Sequence, residues 1–497
     1  MRNGLTAAAW ACLMGLAGGC AHLPGSAPGR SFDAGFFASR ETNIFGSVCT
    51  RALGPFVETT TTPQGDSFVA VRPFYSRLAQ PAQERVIREY LWPLGMSRLL
   101  KNDRSWRFLL AYGQDPKADD DASTYRAGLF PILFMGRSKD GHDYLGVVPF
   151  GGKVYDFLMQ DEVTFVLFPV YAHARRNDLQ STSVLWPVYT REQGPGVSRF
   201  RVFPFYGYAH ADRRWTKRFV LWPFWHTVEY HYPKSQGRGY MLFPLWGHMD
   251  LSDQDTWWVL PPFFRWSQAG DYRRVYAPWP FIKYTASRTE RQLAFWPLWG
   301  RKSSETLSSQ FLLWPIGAHS DRTAGGTRIK NTRVFPLYQS ESRVPCVASN
   351  AAVQASLTNK VADATSRYLR VWPLASYQRV GDAAVLRVPD LWPIRTPSID
   401  RNYAPLWTLY SRLQKQDASE HEVLWGLYRQ RRDADGGRAV ALFPFFSYQR
   451  HGSAAVSNDV KQVSLLAGLV QYRRENSQRR WRLLYKLGWQ TNRSRSE

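Results

Sequence analysis

The sequence predicts an all-β fold built from many copies of one short repeat. Two apolar residues, an aromatic residue, a proline and another apolar residue recur as a cassette, for example at residues 166–170 and 184–188. The cassette prolines lie 17 to 21 residues apart from Pro131 to Pro336. The apolar runs are short, rich in β-branched and aromatic residues, and bounded by polar turns, which is typical of strands. Self-similarity at a fixed period indicates a repeat architecture.

Each cassette is predicted to be one strand, so the chain should contain about two dozen repeated antiparallel strands. A helix is disfavoured because a central proline would break every apolar run. Residues 81–90, which begin with proline and carry Gln, Glu and Arg, are predicted to form a short helix, and the Ala-rich residues 346–366 a loop or short helix. Proline cannot donate to a sheet ladder. We therefore expect the pairing to be interrupted at each cassette, with the sheet bending along a line of aromatic side chains.

Three arrangements of these strands fit the repeat. A large up-and-down meander or barrel is favoured, because alternating short and longer steps suit turns at two different ends, and tilted strands of this length can cross a bilayer. A β-solenoid with one coil per repeat is the second alternative, although residues 175–183 are too polar to supply a second inward side. A propeller with two repeats per blade is the third.

The N-terminus has the order of a secretory signal. Arg2 is followed by an apolar stretch over residues 4–16 and then by small residues. Ala17-Gly18-Gly19-Cys20 resembles the lipobox of bacterial lipoprotein precursors, although Ala17 stands where that family has a large aliphatic residue. The resemblance covers only the first twenty residues and does not extend to the repeat. It implies cleavage before Cys20 and a membrane anchor of palmitate-like acyl chains.

The same segments set the predicted domain boundaries. Residues 1–19 are the signal peptide, 20–45 the lipidated cysteine and a tether, 46–490 a single β-repeat domain and 491–497 a tail. An Ala-rich insertion near residues 346–366 interrupts the repeat. Ala21, in place of the Asp that would resemble an inner-membrane retention signal, implies the outer membrane, with the periplasmic or surface face left open.

The charge of the chain indicates a class of partner. The formal net charge is +24, and an envelope protein with this charge attracts phosphates and carboxylates. Expected partners are membrane lipid, through acylated Cys20, and lipopolysaccharide or acidic polysaccharide. Nucleic acid is not expected, because the chain carries an export signal. The Arg and Lys are scattered, so solvated strand ends explain them equally well, and the oligomeric state stays open.

Few residues combine into a reactive or metal-binding site. Cys49 and Cys346 are a candidate disulfide for an oxidising compartment, or two separate thiols. Asp clusters at residues 119–121 and 250–255 resemble Ca²⁺ ligands but fit solvated turns better. No catalytic residue, metal or cofactor is predicted.

The histidines follow the repeat more than they follow a ligand pattern. His226, Glu229 and His231 would not converge, because neighbouring side chains of a strand alternate between faces. His173, His248 and His319 each lie four residues after a cassette proline. They are expected to form a polar row at one end of the sheet.

The cassette aromatics are expected to be packing residues of the repeat rather than sugar-stacking surfaces. The predicted repeat-core aromatics are Phe168, Trp186, Phe203, Trp222, Phe243, Trp296, Trp314, Phe335, Trp372 and Trp392.

Together these features predict a non-catalytic cell-envelope lipoprotein, a β-repeat scaffold that binds or bridges anionic envelope material. Two alternatives stay open. One is a membrane-embedded β-barrel that passes a lipid or polymer. The other is an enzyme that acts on glycans, which only the aromatic content and the location favour.

Overall fold

The structure of the protein is a computed structural model. The structure describes residues 32–33, 35–117, 124–157, 159–346, 365–451, 460–475, 478–484 and 487–492. Nearly all regular structure in these ranges is β-strand. The chain divides into two compact units: unit 1 is Met1–Ala82 with Ala351–Glu497, and unit 2 is Gln83–Asn350. The predicted single domain of residues 46–490 thus comprises parts of both units.

The first strands of the chain belong to unit 1. They are β1 Phe32–Asp33, β2 Ala38–Thr42, β3 Val48–Ala52, β4 Val57–Thr61, β5 Ser67–Val71 and β6 Tyr75–Gln80. A 3₁₀ turn at Pro81–Gln83 follows β6. Strands β1 and β2 lie inside residues 20–45, so the sheet begins within the predicted tether.

Unit 2 contributes the next run of strands. They are β7 Arg85–Tyr90, β8 Gly95–Leu100, β9 Asp103–Phe108, β10 Ala111–Asp115, β11 Tyr125–Leu129, β12 Leu133–Arg137, β13 Asp143–Val147, β14 Gly151–Phe157, β15 Gln160–Val166, β16 Tyr171–Arg176, β17 Leu179–Val184, β18 Tyr189–Gly194, β19 Val197–Val202, β20 Tyr206–Ala211, β21 Trp215–Val220, β22 Trp225–Tyr232, β23 Ser235–Leu242, β24 Trp246–Leu251, β25 Gln254–Val259, β26 Phe264–Ala269, β27 Tyr272–Tyr276, β28 Ile282–Ala286, β29 Glu290–Phe295, β30 Trp299–Ser304, β31 Leu307–Leu312, β32 Gly317–Ala324, β33 Thr327–Val334 and β34 Tyr338–Pro345.

The remaining elements return to unit 1. They are β35 Ser366–Val371, β36 Ala375–Val380, β37 Ala383–Val388, helices α1 Pro397–Asn402 and α2 Ala404–Trp407, then β38 Tyr410–Lys415, β39 Ala418–Val423, β40 Tyr428–Arg432, β41 Arg438–Leu442, β42 Phe446–His451, β43 Val460–Leu465, β44 Val470–Glu475, β45 Gln478–Leu483 and β46 Leu487–Asn492. Two 3₁₀ turns, Leu424–Gly426 and Leu466–Gly468, occupy cassette positions.

Strands that are neighbours in sequence pair with each other, and the described pairs are antiparallel. In unit 2 the ladder runs from β7 to β34 without a break. In unit 1 it runs from β1 to β6 and again from β35 to β46. The prediction of an all-β antiparallel meander is confirmed. The solenoid and propeller alternatives are wrong, because a solenoid stacks coils and a propeller divides into separate blades.

The cassettes are turns between strands. The turn of residues 167–170 joins β15 to β16, and the Val170 N–H donates to the Leu167 carbonyl at 2.8 Å. The Phe168–Pro169 peptide is cis, which places proline at the third position of a type VI turn. The prediction that each cassette is a strand is therefore wrong. Each repeat is a hairpin of two strands, so the described ranges contain 46 strands.

Pairing is interrupted at the cassette prolines as predicted, but the chain reverses there and does not merely bend. Proline has no N–H to leave unpaired, so it suits a position outside the ladder. In place of the helix predicted over residues 81–90, residues 81–83 form a 3₁₀ turn and residues 85–90 form β7. Ile87 and Glu89 are both buried in β7, which is the two-residue period of a strand.

Alternation of the two kinds of turn gives the unit 2 sheet two different rims. The cassette rim comprises turns 91–94, 109–110, 130–132, 148–150, 167–170, 185–188, 203–205, 221–224, 243–245, 260–263, 277–281, 296–298, 313–316 and 335–337. From β16 to β33, the polar rim comprises turns 177–178, 195–196, 212–214, 233–234, 252–253, 270–271, 287–289, 305–306 and 325–326. Every strand from β16 to β33 connects one rim to the other.

Ladder register also defines two faces of this sheet. Arg201, Gly207, Phe219 and His226 are successive partners and therefore share one face, which we call the cleft face. Their sequence neighbours, such as Phe200, point to the opposite face. Phe134, Val154 and Phe165 form a small apolar cluster on the cleft face of β12–β15.

Candidate anion-binding cleft in unit 2

A cleft of about 620 Å³ lies over the cleft face of β18–β25. This volume is within the range of small-ligand sites. Gly207, Ala209 and Gly239 leave room where larger side chains would fill the space. Phe219 and Met241 form apolar walls.

Gly207 is central to the shape of the cleft. An ideal Cβ at this residue would lie 2.0 Å from Cε1 of Phe219, its partner on β21. The Phe219 ring therefore lies directly over the glycine. An aromatic side chain paired with glycine covers the backbone that glycine leaves bare.

Three basic side chains project from this face into the cleft. Arg201 Nη2 donates to Thr190 Oγ1 at 3.0 Å. The Nε of Arg201 is buried and has no hydrogen-bond partner among the described residues. An unpaired buried donor on a cation is an unmet requirement that an anionic acceptor satisfies.

Aromatic rings hold the other two cations. Lys217 Nζ lies 4.9 Å from the centroid of Trp215 and 5.7 Å from that of Tyr230. The Arg199 guanidinium lies 5.6 Å from the Trp215 centroid. Cation–π contact positions a charge without neutralising it. The charge of Lys217 therefore stays available to a ligand in the cleft.

The electrostatic field of the cleft is positive. Glu192 is the single carboxylate among the described lining residues, and it bonds to Arg199 at 3.0 Å. Further basic residues continue along the same face on β26–β33. They are Arg265, Arg274, Lys283, Lys302 and Arg333. Same-sign charge over low-dielectric walls concentrates counter-ions of the opposite sign.

Arg265 extends this pattern beyond the cleft. Its guanidinium lies 5.4 Å from the Trp258 centroid, and its Nε is buried without a hydrogen-bond partner in the described ranges. Burial, and then the nearby charge of Arg274, lower the pKa of Arg265 from its ordinary value. Arg265 and Arg201 lie on the same row of the cleft face, seven strands apart in the ladder.

Unit 1 contains a different arrangement, a buried charge cluster between β2–β5 and β38–β40. Arg51 Nη1 lies 2.7 Å from Glu422 Oε2, and Arg429 Nη1 lies 3.1 Å from Glu41 Oε1. These ion pairs connect strands from the start and the end of the chain. Removal of one partner from such a buried ion pair strongly destabilises the fold.

A second cavity, of about 280 Å³, lies beside this cluster. Burial, with the like charge of Glu41, raises the pKa of Glu420 to about 7. Burial also opposes ionisation of Glu422, but Arg51 and Arg429 outweigh it and lower the pKa of Glu422. Carboxyls with separated pKa values can act as acid and base. Here Glu422 is held in a bidentate contact with Arg51, so the arrangement joins the strands.

The predicted disulfide is not formed. Cys49 and Cys346 are both free thiols, the first buried and the second exposed. The Cys49 sulfur accepts from Thr60 Oγ1 at 3.5 Å and from Asn43 Nδ2 at 3.8 Å, within its own sheet. Burial raises the pKa of the Cys49 thiol. Cys20 and the Asp cluster at 119–121 lie outside the described residues, as does most of the predicted insertion.

The predicted core aromatics lie in turns, not in a core. Nine of the ten occupy cassette turns, and Trp392 lies in the irregular segment before α1. Trp186 and Trp314 are 51% and 52% exposed. Neighbouring rings do pack in pairs, since Phe168 and Trp186 have centroids 6.0 Å apart and Trp296 and Trp314 have centroids 5.9 Å apart. They pack along the rim, with much of each ring open.

The observed register shows where the three histidines of the predicted polar row lie. His173, His248 and His319 lie on one row of the opposite face. Each has its own neighbour: Thr182 at 3.1 Å, Asp255 at 2.8 Å and Thr332 at 2.8 Å, respectively.

Asp250 and Asp255 are cross-strand partners on β24 and β25, but the other candidate ligand groups are separated. His226 is on the cleft face, whereas Glu229 pairs with Arg238 on the opposite face. Asp253 accepts from Ser235 at 2.7 Å. Within the described ranges, no group of three His, Cys, Asp or Glu is placed to hold a metal ion.

Sequence reasoning missed the cleft. The alternation of Arg199 and Arg201 with Gly207 and Ala209 was a usable signal, because residues two apart share a face. The register that aligns them came only with the strand pairing.

Within the described ranges, neither helix is long and apolar enough to cross a membrane. No protein-family model matches the chain, and no curated protein matches its sequence.

Proposed function

We propose that this chain is a non-catalytic cell-envelope lipoprotein, anchored through acylated Cys20, whose unit 2 sheet binds anionic envelope material. The observation that carries the proposal is the cleft on β18–β25. Arg199, Arg201 and Lys217 line it together with aromatic rings, and Glu192 is its single described carboxylate. Phosphorylated or carboxylated glycans, including lipopolysaccharide and acidic polysaccharide, provide the matching charge.

The chemistry of the cleft suits a sugar that carries negative charge. Guanidinium groups bind phosphate and carboxylate with paired hydrogen bonds. Tyr230 and Trp215 offer apolar ring faces beside these cations, which suits the apolar faces of sugar rings. The chain-wide net charge of +24 draws the same ligands toward the protein from a distance.

The test is a binding titration with the purified full chain carrying Cys20→Ala. The probes are lipopolysaccharide, an acidic polysaccharide and uncharged dextran. We expect both anionic probes to bind, with affinity that falls as salt rises, and dextran not to bind. Equal binding of dextran, or no binding of either anion at low salt, contradicts the proposal.

Two double variants distinguish anion binding in the cleft from attraction by the net charge of the chain. Arg201→Gln with Lys217→Gln should weaken anion binding about tenfold or more, because each loses a charged hydrogen bond. The control is Arg191→Gln with Arg238→Gln, which removes the same charge from exposed positions on the opposite face. Similar weakening in both pairs would assign the binding to net charge alone.

A further inference from the structure

The cassette rim of unit 2 is exposed and apolar. Leu185 is 55% exposed, Trp222 48% and Ile316 47%. The polar rim at the other end of the same strands contains Asn, Asp, Arg, Lys, Ser, Gly and Pro. The turn residues from β16 to β33 are thus mainly apolar at one end of the strands and mainly polar at the other. Exposed apolar surface of this extent marks an interaction site.

In three four-residue turns of the cassette rim, every backbone N–H donor is paired within the protein. In turn 185–188, the Leu185 N–H donates to Val170 O at 2.7 Å, Trp186 N–H to Pro169 O at 2.8 Å and Val188 N–H to Leu185 O at 2.8 Å. Pro187 has no N–H. The same three bonds occur in turns 221–224 and 313–316.

This hydrogen-bond pairing suits a protein surface that is transferred from water into lipid. Hydrocarbon offers no hydrogen bonds, so backbone groups that enter it must be satisfied within the protein. An ordinary exposed turn has no such requirement. The donor pairing in these three turns therefore meets a requirement for contact with lipid.

The side chains next to the cassette rim are amphipathic or basic, which suits the headgroup region of a bilayer. A Tyr or Trp follows many cassettes at the start of the next strand, at Tyr171, Tyr189, Tyr206, Trp225, Trp246, Trp299 and Tyr338. Such amphipathic rings favour the headgroup level of a membrane. The cleft-face row nearest the rim carries Arg201, Arg265, Lys283 and Arg333. Its charge complements anionic headgroups.

We propose that the cassette rim of unit 2 inserts into the surface of an anionic lipid bilayer. The cassette side chains enter the acyl region, and the Tyr, Trp and basic side chains lie at the headgroups. This contact is separate from the acyl anchor and does not depend on ligand binding in the cleft. The charge grading favours lipid over a second copy of the chain, whose equally basic rows would repel.

The test uses the full chain with Cys12, Cys20, Cys49 and Cys346 replaced by Ala and one new cysteine for an environment-sensitive fluorophore. Val188→Cys reports the cassette rim. Asp178→Cys reports the polar rim, at the other end of the same strand β17, about 20 Å away. Removing Cys20 excludes a lipid anchor from the result.

Vesicles of phosphatidylglycerol and phosphatidylcholine, with and without spin-labelled acyl chains, provide the membrane. We expect the label at Val188 to shift to the blue and to be quenched at least twofold by the acyl spin label. The label at Asp178 should change little. Ile316→Cys is an independent second rim position, and circular dichroism checks that each variant keeps its strand content.

Two outcomes overturn the proposal. One is equal quenching, or no quenching, at the two rims. The other is a blue shift at Val188 without vesicles that grows with protein concentration, which would assign the rim to contact between copies. If lipid insertion fails while the cleft variants still lose anion binding, the proposed function stands without this contact.

Discussion

At the scale of single residues, the most informative group is the Glu420 carboxyl. It is buried in unit 1, and its Oε2 has no hydrogen-bond partner in the described part of the chain. Its pKa is raised to about 7 from the ordinary 4.5. The groups that face it are Glu41 and Glu422 as like charges, and Arg51 and Arg431 as opposite charges.

This raised pKa predicts a defined pH dependence of stability. The folded chain binds the Glu420 proton more tightly than the unfolded chain, so this stabilisation is full below pH 4.5 and is lost as pH rises to about 7. We expect Glu420→Gln to raise the free energy of unfolding at pH 8 by about 3 kcal/mol, and to change it little at pH 4.5. Denaturant unfolding at both pH values measures this.

A matched control is Glu229→Gln, which neutralises an exposed carboxylate on β22. This control should leave the difference between the two pH values as in the parent chain. The prediction is refuted if the free energy of unfolding of Glu420→Gln differs from that of the parent chain by the same amount at both pH values.

At the scale of elements, the pairing of glycine with an aromatic residue connects neighbouring strands. Phe219 on β21 covers Gly207 on β20, and Phe311 on β31 covers Gly300 on β30 in the same way. Few large apolar side chains of this sheet are buried. Cross-strand pairs therefore contribute stability that a compact core would supply in a globular domain.

A double-mutant cycle tests this coupling. Gly207→Ala should destabilise the chain by about 1–3 kcal/mol, because its Cβ displaces the Phe219 ring. Adding Gly207→Ala to a Phe219→Ala background should cost less, since the ring is no longer there to displace. Denaturant unfolding of the four chains gives the coupling free energy. Gly270→Ala, in an open turn with positive φ, shows the cost of backbone conformation alone. Strictly additive effects would show that ring and glycine are independent.

At the scale of the whole molecule, the proposed membrane attachment rests on Cys20, which lies outside the described residues. We predict that cells grown with labelled palmitate incorporate label into the parent chain, because Cys20 follows a lipobox-like segment. Cys20→Ala should remove the label, whereas Cys346→Ala, an exposed thiol, should keep it. Label retained by Cys20→Ala would show that another residue is acylated.

The amino-acid sequence by itself determined the fold class and the repeat length. Proline in every cassette argued against helices within the repeat, and the fixed short period predicted antiparallel strands, although the apolar runs assigned as strands are turns. It also predicted that pairing stops at each cassette proline. These properties are local, because backbone geometry and side-chain shape act within a few residues.

Only the tertiary structure decided what each cassette does and which residues meet. Cassettes such as 167–170 are turns, a result that depends on where the partner strands begin and end. The cleft of Arg201, Lys217 and Gly207 depends on register across several strands, and a shift of one residue would move every side chain to the other face. The ion pair of Arg51 with Glu422 joins residues far apart in the chain. No short-range pattern encodes such a contact, because it forms only when strands from the two strand runs of unit 1 come together.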